Sequence, residues 1–211
     1  MITDKKTKKK NKESIVICIC GLAGSGKSTV AKMLAKKYGL KYYSGGDALK
    51  ALAKEEGYKL IEKGWWETRD GICFLEKRGK SFKFDKVVDK KLLELSRQGN
   101  VVLDSWTMPW LLKKGFKIWL EASPKKRAER IAKRDRIRVE EALKALRSKE
   151  ERTKAIYKKL YGFSLGDDFK PFHLILDTDN LKADEVFQVL CEVVDNVVVN
   201  PLDNAQNPKQ K

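Results

Sequence analysis

The chain has 211 residues, of which 42% are hydrophobic and 36% charged, and its formal net charge is +17. This length predicts one α/β domain that buries its core without disulfides or a structural metal. No apolar run reaches about 18 residues and no signal-peptide core follows the lysine-rich start, so we expect neither a membrane span nor secretion. The cysteines form no C-x-x-C pair, which favours a reducing, cytoplasmic compartment; they are Cys18, Cys20, Cys73 and Cys191.

Positive charge is spread over the whole sequence. Residues 1–13 contain six lysines against Asp4 and Glu13, a net +4, which leaves +13 for the rest of the chain. We expect residues 1–13 to form a disordered basic arm, because they have almost no apolar content. The charge suits anionic substrates and weak, non-specific contact with nucleic acid, and it equally suits a solvated surface laced with salt bridges.

The glycine-rich sequence GLAGSGKST matches the pattern G-x-x-x-x-G-K-[S/T]. It follows a short apolar strand predicted from Ser14 to Cys20 and precedes apolar residues at helical spacing. This order predicts a loop whose backbone N–H groups and helix N-terminus bind a polyphosphate, with the lysine on its β and γ phosphates and the first hydroxyl on Mg²⁺. The predicted phosphate-binding residues are Gly21, Leu22, Ala23, Gly24, Ser25, Gly26, Lys27, Ser28 and Thr29.

The next elements place polar residues beside this loop. The first helix closes at Gly39, and a second short strand is predicted from Leu40 to Ser44. The following helix begins at Gly45-Gly46-Asp47, which sets Asp47 and Lys50 one turn apart. An acid and a base are therefore expected near the phosphate loop.

The segment from Tyr58 to Phe84 is rich in aromatic residues and glycine and has no strong period. We expect an insertion that carries specificity rather than framework. Trp65 and Trp66 either stack on a base or pack a small subdomain, and both interpretations are open. Asp85 is then predicted to cap a helix that ends at Gly99; its predicted buried face is Val87, Val88, Leu92, Leu93 and Leu95.

Asp104 ends the third predicted strand, Asn100–Asp104, at the edge where open α/β sheets bind ligands. It holds Mg²⁺ through water, or orients a substrate, or caps a short helix over 105–110, and all three interpretations are open. A fourth strand is predicted over 116–120. Ser123-Pro124 then begins a helix as N-cap and first residue.

Arginines mark the helices that follow. The helix from Pro124 to Asp135 carries Arg130 and Arg134 on one face, and a long helix over 139–161 carries Arg147 and Arg152. Guanidinium groups suit bidentate contact with phosphate, although a solvated charged arm explains each of them as well. The predicted apolar seam of the long helix is Ala142, Leu143, Leu146, Ala155, Ile156 and Leu160.

A fifth strand over 171–177, with His173 as a packed edge residue, and a helix over 183–194 complete the pattern. Five strands that alternate with helices predict an α/β fold of the P-loop NTP hydrolase type. Its sheet is expected to be five-stranded and parallel, with helices on both faces.

The set of motifs resembles the nucleoside monophosphate kinases, and within them the archaeal cytidylate kinases, from Ile15 to Val194. The residues that carry the resemblance are Gly21–Thr29, Ser44–Asp47, Asn100–Asp104, Arg127–Arg134, Tyr161-Gly162 and Asp177-Thr178. The resemblance implies transfer of the γ-phosphoryl group of ATP, with Mg²⁺, to CMP or dCMP. We expect a monomeric kinase domain over 14–197, with an acceptor-binding insertion at 45–98, a lid at 134–160 and a flexible tail at 198–211.

The resemblance also implies roles for single residues. Lys27 is catalytic, Arg130 covers the adenine, and Arg134 contacts the transferring phosphate. Arg147 or Arg152 contributes from the far side of the lid. The implied metal ligands are Ser28 and Asp104.

The departures from the family lie on the acceptor side. Lys50 and Ile156 stand where the family usually has arginine, and Ser105-Trp106 stands where it usually has Gly-Arg. Arg69 offers a replacement phosphate contact. The predicted acceptor-binding residues are Ser44, Asp47, Lys50, Trp65, Trp66, Arg69, Asp104 and Trp106.

Two alternatives to CMP phosphorylation stay open. The kinase acts on another nucleotide, a nucleoside or an RNA 5′ end, or the protein is an RNA-associated factor that uses ATP as a switch. The basic surface motivates both.

Overall fold

The computed structural model describes residues 14–62 and 64–200, and its centre is a five-stranded sheet. The strands are β1 (Val16–Cys20), β2 (Lys41–Ser44), β3 (Val101–Asp104), β4 (Phe116–Glu121) and β5 (Leu174–Asp177). All pairs are parallel, in the order β2-β3-β1-β4-β5. The predicted parallel sheet is confirmed.

The register of the sheet places the ends of three strands side by side. Ile19 of β1 pairs with Asp104 of β3, and Asp104 pairs on its other side with Ser44 of β2. The loop that follows β1 therefore begins next to the carboxyl end of β3. This is the edge at which open parallel sheets bind ligands.

Eight α-helices lie in the described part of the chain. They are α1 (Lys27–Tyr38), α2 (Gly45–Glu55), α3 (Arg69–Lys80), α4 (Lys83–Gln98), α5 (Met108–Leu111), α6 (Pro124–Asp135), α7 (Val139–Tyr161) and α8 (Ala183–Val194). The predicted bounds of α6, α7 and α8 are confirmed. Local chemistry sets some of these ends: the backbone N–H of Lys126 donates to Ser123 Oγ (3.3 Å), and Gly162 ends α7 with φ 81°.

Helices cover both faces of the sheet, as predicted. On one face Ile19 packs with Leu34 of α1 and Leu190 of α8. On the other face Cys18 packs with Leu92 of α4. Adjacent residues of β1 thus serve opposite cores, because successive side chains of a strand alternate between its faces.

The structure corrects three helix predictions. The segment from Tyr58 to Phe84 is largely regular, with a short 3₁₀ turn at Trp65–Glu67 and the twelve-residue α3. Asp85 does not cap α4, because Phe82 holds the N-cap position and Asp85 is buried within the first turn. Val87 is 54% exposed and Ala155 is exposed, so neither belongs to its predicted buried face.

Some expectations fall outside the described residues. The disordered basic arm over 1–13 lies wholly outside them, and so does the predicted tail from residue 201 onwards. Residues Asp195–Val199 extend the chain beyond α8 as a wider helical turn. The division into kinase domain, acceptor insertion and lid stays a prediction. None of the described helices is both long and apolar enough to cross a membrane.

Candidate active site

The loop between β1 and α1 has a backbone that only glycine accommodates at two close approaches. Gly21 has φ 148°, and a Cβ there would lie 2.5 Å from the carbonyl oxygen of Leu120. Gly24 has φ 81°, and a Cβ there would lie 2.6 Å from the carbonyl oxygen of Arg127. The loop is thereby pressed against β4 and α6.

The loop also carries the features of an anion site. The Oγ atom of Ser25 is buried and has no hydrogen-bond partner among the described residues. Helix α1 begins at Lys27, directly after Gly26, so its N-terminal N–H groups and the positive end of its dipole face the loop. A polyphosphate fits these residues, because it supplies the acceptors and the negative charge that they lack.

Ser28 and Asp104 meet at the sheet edge, as predicted for a metal site. Ser28 Oγ donates a hydrogen bond to the carboxylate of Asp104, and the hydroxyl of Tyr42 donates to the same oxygen at 3.2 Å. Asp104 does not cap the short helix α5. The backbone N–H groups of Thr107 and Met108, at its start, donate instead to Ser105 Oγ (3.2 and 3.3 Å).

This pair fits Mg²⁺ by its donor atoms. Mg²⁺ prefers oxygen ligands, and it is commonly held by one or two protein oxygens together with waters and substrate phosphates. Within residues 14–62 and 64–200, no cluster of three or more acidic, cysteine or histidine side chains could hold a metal by itself. A hydroxyl and a carboxylate beside a phosphate loop are therefore the candidate magnesium ligands.

A cleft of about 750 Å³ extends from the loop across the sheet edge. It brings together most of the predicted site residues. Those that line it are Ala23 to Thr29, Ser44, Asp47, Lys50, Trp65, Trp66, Asp104, Trp106, Arg130 and Arg134. Loop and predicted acceptor residues thus share one cavity, large enough for small-molecule ligands.

The turn after β2 forms one wall of the cleft. Ser44 Oγ accepts a hydrogen bond from the backbone N–H of Asp47 (3.1 Å) and so caps α2. The ammonium of Lys50 lies 4.0 Å from the carboxylate of Asp47. This loose, partly exposed pair leaves Lys50 able to approach an anion.

The two adjacent tryptophans have different environments. Trp65 is 1% exposed, its indole N–H donates to the carbonyl of Lys59 (2.9 Å), and its ring packs on Phe74. Trp65 therefore packs the interior of the subdomain, as one of the two interpretations predicted, although it is also among the residues that line the cleft. Trp66 is half-buried, and the ammonium of Lys149 lies 4.6 Å from its ring centroid. Trp66 is the one of this pair that is suited to stacking.

Three predicted arginines do not reach the cleft. Arg69, Arg147 and Arg152 are absent from the described residues that line it. Arg69 and Arg147 are exposed, and Arg152 pairs with Glu76 of α3 at 2.9 Å. The residues of α7 that do line the cleft are Lys149 and Tyr157. A sequence signal existed, since Lys149 lies three positions after the buried Leu146 and therefore on the inner side of α7.

The arginines of α6 have separate tasks. Arg127 is buried, pairs with Glu150 of α7 and donates to the carbonyl of Ala23 (3.0 Å), so it ties the loop to both helices. Arg130 donates to the hydroxyl of Thr178 (3.1 Å) and to its carbonyl oxygen. Arg134 binds its neighbour Asp135 at 2.6 and 2.7 Å. Arg130 and Arg134 are the two that line the cleft.

A buried charge cluster in the lining of the cleft was missed from sequence. Arg78 of α3 and Asp85 of α4 are each 2% exposed, and their guanidinium and carboxylate groups pair with contacts of 2.6 and 3.2 Å. Asp89 accepts hydrogen bonds from the hydroxyls of Thr107 and Tyr161, both at 2.5 Å. Burial raises the pKa of Asp89 to about 6, although these two hydrogen bonds oppose the shift.

Asp85 and Asp89 are one helical turn apart, which is visible in the sequence. Arg78, the partner of Asp85, could not be identified from the sequence, because the segment that contains it was not expected to be helical.

His173 is a packed edge residue, as predicted: its Nδ1 accepts from the backbone N–H of Lys117 (2.9 Å), and its ring stacks on Phe116.

Two of the solved structures with a similar fold are named as kinases. Shikimate kinase from Bacteroides thetaiotaomicron has a TM-score of 0.54 and 18% identity, covering 86% of this chain and 99% of that one. Deoxyadenosine kinase from M. mycoides, solved with bound dATP, has a TM-score of 0.51 and 17% identity, covering 86% and 100%. At 17–18% identity, these structural similarities support the assignment of the fold and nothing further.

Sequence comparison identifies the family. The family model described as "Cytidylate kinase-like family" matches residues 16–180. Cytidylate kinase of Pyrococcus horikoshii is 33% identical over 95% of this chain and 97% of its own. Those of Methanocaldococcus jannaschii and Sulfurisphaera tokodaii are 35% and 36% identical, over 87% and 83% of this chain and 99% and 93% of theirs. With its phosphate loop, parallel sheet and shared cleft, the chain belongs to the cytidylate kinase-like family of kinases.

Proposed function

We propose that the protein transfers the γ-phosphoryl group of ATP to a nucleoside monophosphate, CMP or dCMP, with Mg²⁺. The observation that carries the proposal is one shared cleft, which is lined both by the phosphate loop and by Lys50, Trp66 and Asp89. A transferase for two nucleotides needs both sites in one cavity, because the reacting atoms must approach in line. The relatives named cytidylate kinase support the acceptor.

The donor half of the cleft is assigned to ATP. Backbone N–H groups of the loop and the ammonium of Lys27 hold the phosphates, and Ser28 with Asp104 would hold Mg²⁺. When bound, that ion neutralises charge on the phosphate oxygens. Arg130, whose guanidinium is fixed by Thr178, presents its planar face to the adenine, and Arg134 approaches the transferring phosphate.

The acceptor half is assigned to the monophosphate. Its 5′-phosphate oxygen attacks the γ phosphorus, the bond from that phosphorus to the β–γ bridging oxygen breaks, and ADP leaves. Ser44, Asp47 and Lys50 line the wall nearest the loop, and Trp66 offers a ring for the base. Lys149 takes the place in the open cleft that the sequence assigned to Arg147 or Arg152. No covalent enzyme intermediate is involved.

The test is a screen of acceptors by ADP release. CMP, dCMP, UMP, AMP and GMP are compared with Mg²⁺ and ATP, and CMP or dCMP should have the highest kcat/KM. Lys27→Ala should lower that value by roughly 10²–10³-fold while the fold persists. Equal turnover of all five monophosphates, or full activity of the variant, would contradict the proposal.

A second candidate keeps the donor half and changes the acceptor. It is favoured by one observation: the buried Arg78 is already paired with Asp85, and Lys50 and Trp106 stand where the family usually places arginines. Fewer available guanidinium groups suit an acceptor with less charge, such as a nucleoside, or an RNA 5′-hydroxyl. Adding cytidine and a 5′-hydroxyl RNA to the same screen separates the two candidates.

The remaining expectations concern partners and compartment. We propose a monomer in the cytoplasm whose basic surface makes weak contact with nucleic acid. The excess of lysine and arginine supports that contact. Binding of a single-stranded RNA across a salt series tests it, because phosphate contacts weaken steeply with salt. An RNA-associated factor that uses ATP as a switch would bind RNA without phosphorylating any acceptor.

A further inference from the structure

Trp106 joins the two halves of the cleft through three contacts. Its indole N–H donates to the carbonyl oxygen of Gly21, the first residue of the loop, at 2.5 Å. The ammonium of Lys27 lies over its ring, 5.6 Å from the centroid. The ammonium of Lys149, from α7, lies 5.8 Å from the same centroid. One side chain just after β3 thus contacts both the phosphate loop and a lysine of α7.

These contacts are suited to a loop without nucleotide. In the loop without nucleotide, the Lys27 ammonium has no phosphate to bind. The face of an indole ring attracts it instead, because indole is the best aromatic partner for a cation. The hydrogen bond to Gly21 keeps the ring in place at the same time. A carboxylate at this position would hold the ammonium too, but it would repel the incoming phosphates.

We propose that Trp106 is a positioning residue that holds Lys27 while the loop is empty and presents its indole to the acceptor base once nucleotide has bound. The inference rests on the proposed function of the same cleft. Phosphate oxygens attract an ammonium more strongly than a ring does, so nucleotide binding draws Lys27 away from the indole. The part of the ring that Lys27 covered then faces the cleft, where the acceptor base stacks on it.

This arrangement couples the two substrates. Nucleotide binding uncovers part of the acceptor site, so the acceptor binds more tightly to the nucleotide complex than to the empty protein. By linkage, the acceptor increases nucleotide affinity by the same factor. The two substrates therefore bind cooperatively, without any change in the backbone.

The experiment measures CMP affinity by calorimetry with and without saturating ADP. In the unmodified protein ADP should raise the affinity for CMP by roughly fivefold or more. Trp106→Leu should abolish this effect, and Trp106→Phe, which keeps a ring, should retain part of it. Lys27→Ala should bind CMP without ADP about as tightly as the unmodified protein does with ADP, because its indole is already uncovered.

Tryptophan fluorescence gives a readout that does not depend on the acceptor. ADP alone should change the emission of the unmodified protein and of Trp110→Phe, but not of Trp106→Phe. Trp110 is the matched control, since its ring stacks on Phe163 and its N–H donates to Asp168 (3.0 Å), outside the cleft lining.

The outcomes separate the inference from the proposed function. Equal CMP affinity with and without ADP, coupling that survives in Trp106→Leu, or an ADP response that persists in Trp106→Phe each overturns the inference. If CMP fails to bind while the ADP response depends on Trp106, the acceptor assignment falls and the role of Trp106 toward Lys27 stands.

Discussion

Ser28 donates a hydrogen bond to the carboxylate of Asp104, although 76 positions separate the two residues along the chain. The contact exists because β1 and β3 are neighbours in the sheet and their carboxyl ends are in register. It brings together the candidate magnesium ligands from the first turn of α1 and the last residue of β3.

Asp104→Asn should lower kcat by roughly 10²–10³-fold and raise the Mg²⁺ concentration needed for half-maximal rate, because the amide removes a charge that the metal requires. Steady-state rates across a Mg²⁺ series measure both. Tyr42→Phe is the matched control, since it removes only the hydroxyl that donates to the same carboxylate. An unchanged Mg²⁺ dependence in Asp104→Asn would show that Asp104 is not a ligand.

Lys149→Met should reduce kcat/KM by about tenfold or more, because its ammonium lines the cleft between two tryptophan rings. Arg147→Met, on the exposed side of the same helix, should leave the rate within about twofold. Both are measured with saturating ATP and varied CMP. The reverse ranking would mean that α7 rotates or moves before catalysis.

Asp85→Ala should lower the free energy of unfolding by about 3–5 kcal/mol, because it leaves the guanidinium of Arg78 buried and unpaired. Urea unfolding measures the change. The double variant Arg78→Met, Asp85→Leu should recover most of the loss, since it removes both charges. A double variant no more stable than the single one would indicate that the pair itself, rather than the unpaired charge, matters.

Asp89 should make stability depend on pH in the opposite direction to most carboxylates. Its pKa in the folded protein is about 6, against about 3.9 unfolded, so its contribution is full below pH ~4 and is lost as pH rises through 6. The loss amounts to roughly 3 kcal/mol between pH 4 and pH 7.

The measurement is urea unfolding of the unmodified protein and of Asp89→Asn at several pH values across that range. The stability difference between them should shift toward the asparagine variant as pH rises, because the amide stays neutral. A difference that is constant with pH would mean that Asp89 titrates normally.

Much of the framework follows from local patterns. Ser123, Pro124 and Gly162 are short-range signals, and the helices that they delimit begin and end where the sequence predicts. The phosphate loop was predictable from its glycine spacing and from the strand before it and the helix after it, although the close approaches that require Gly21 and Gly24 are made by β4 and α6. The candidate metal pair was also predictable, since the carboxyl ends of adjacent parallel strands meet at one edge.

The sequence by itself therefore determined the parallel sheet, the glycine-rich phosphate loop, the Ser28–Asp104 pair and the family. Only the tertiary structure decided which aromatic and charged side chains shape the cleft beside the loop: Trp66 as the more accessible tryptophan of its pair, Lys149 rather than Arg147, and the buried Arg78 beside Asp85. The physical reason is the separation along the chain between the residues that interact. Caps, turns and periods depend on residues a few positions apart, whereas this part of the cleft is formed where α3, α4 and α7 come together, and no local pattern specifies which side chains meet there.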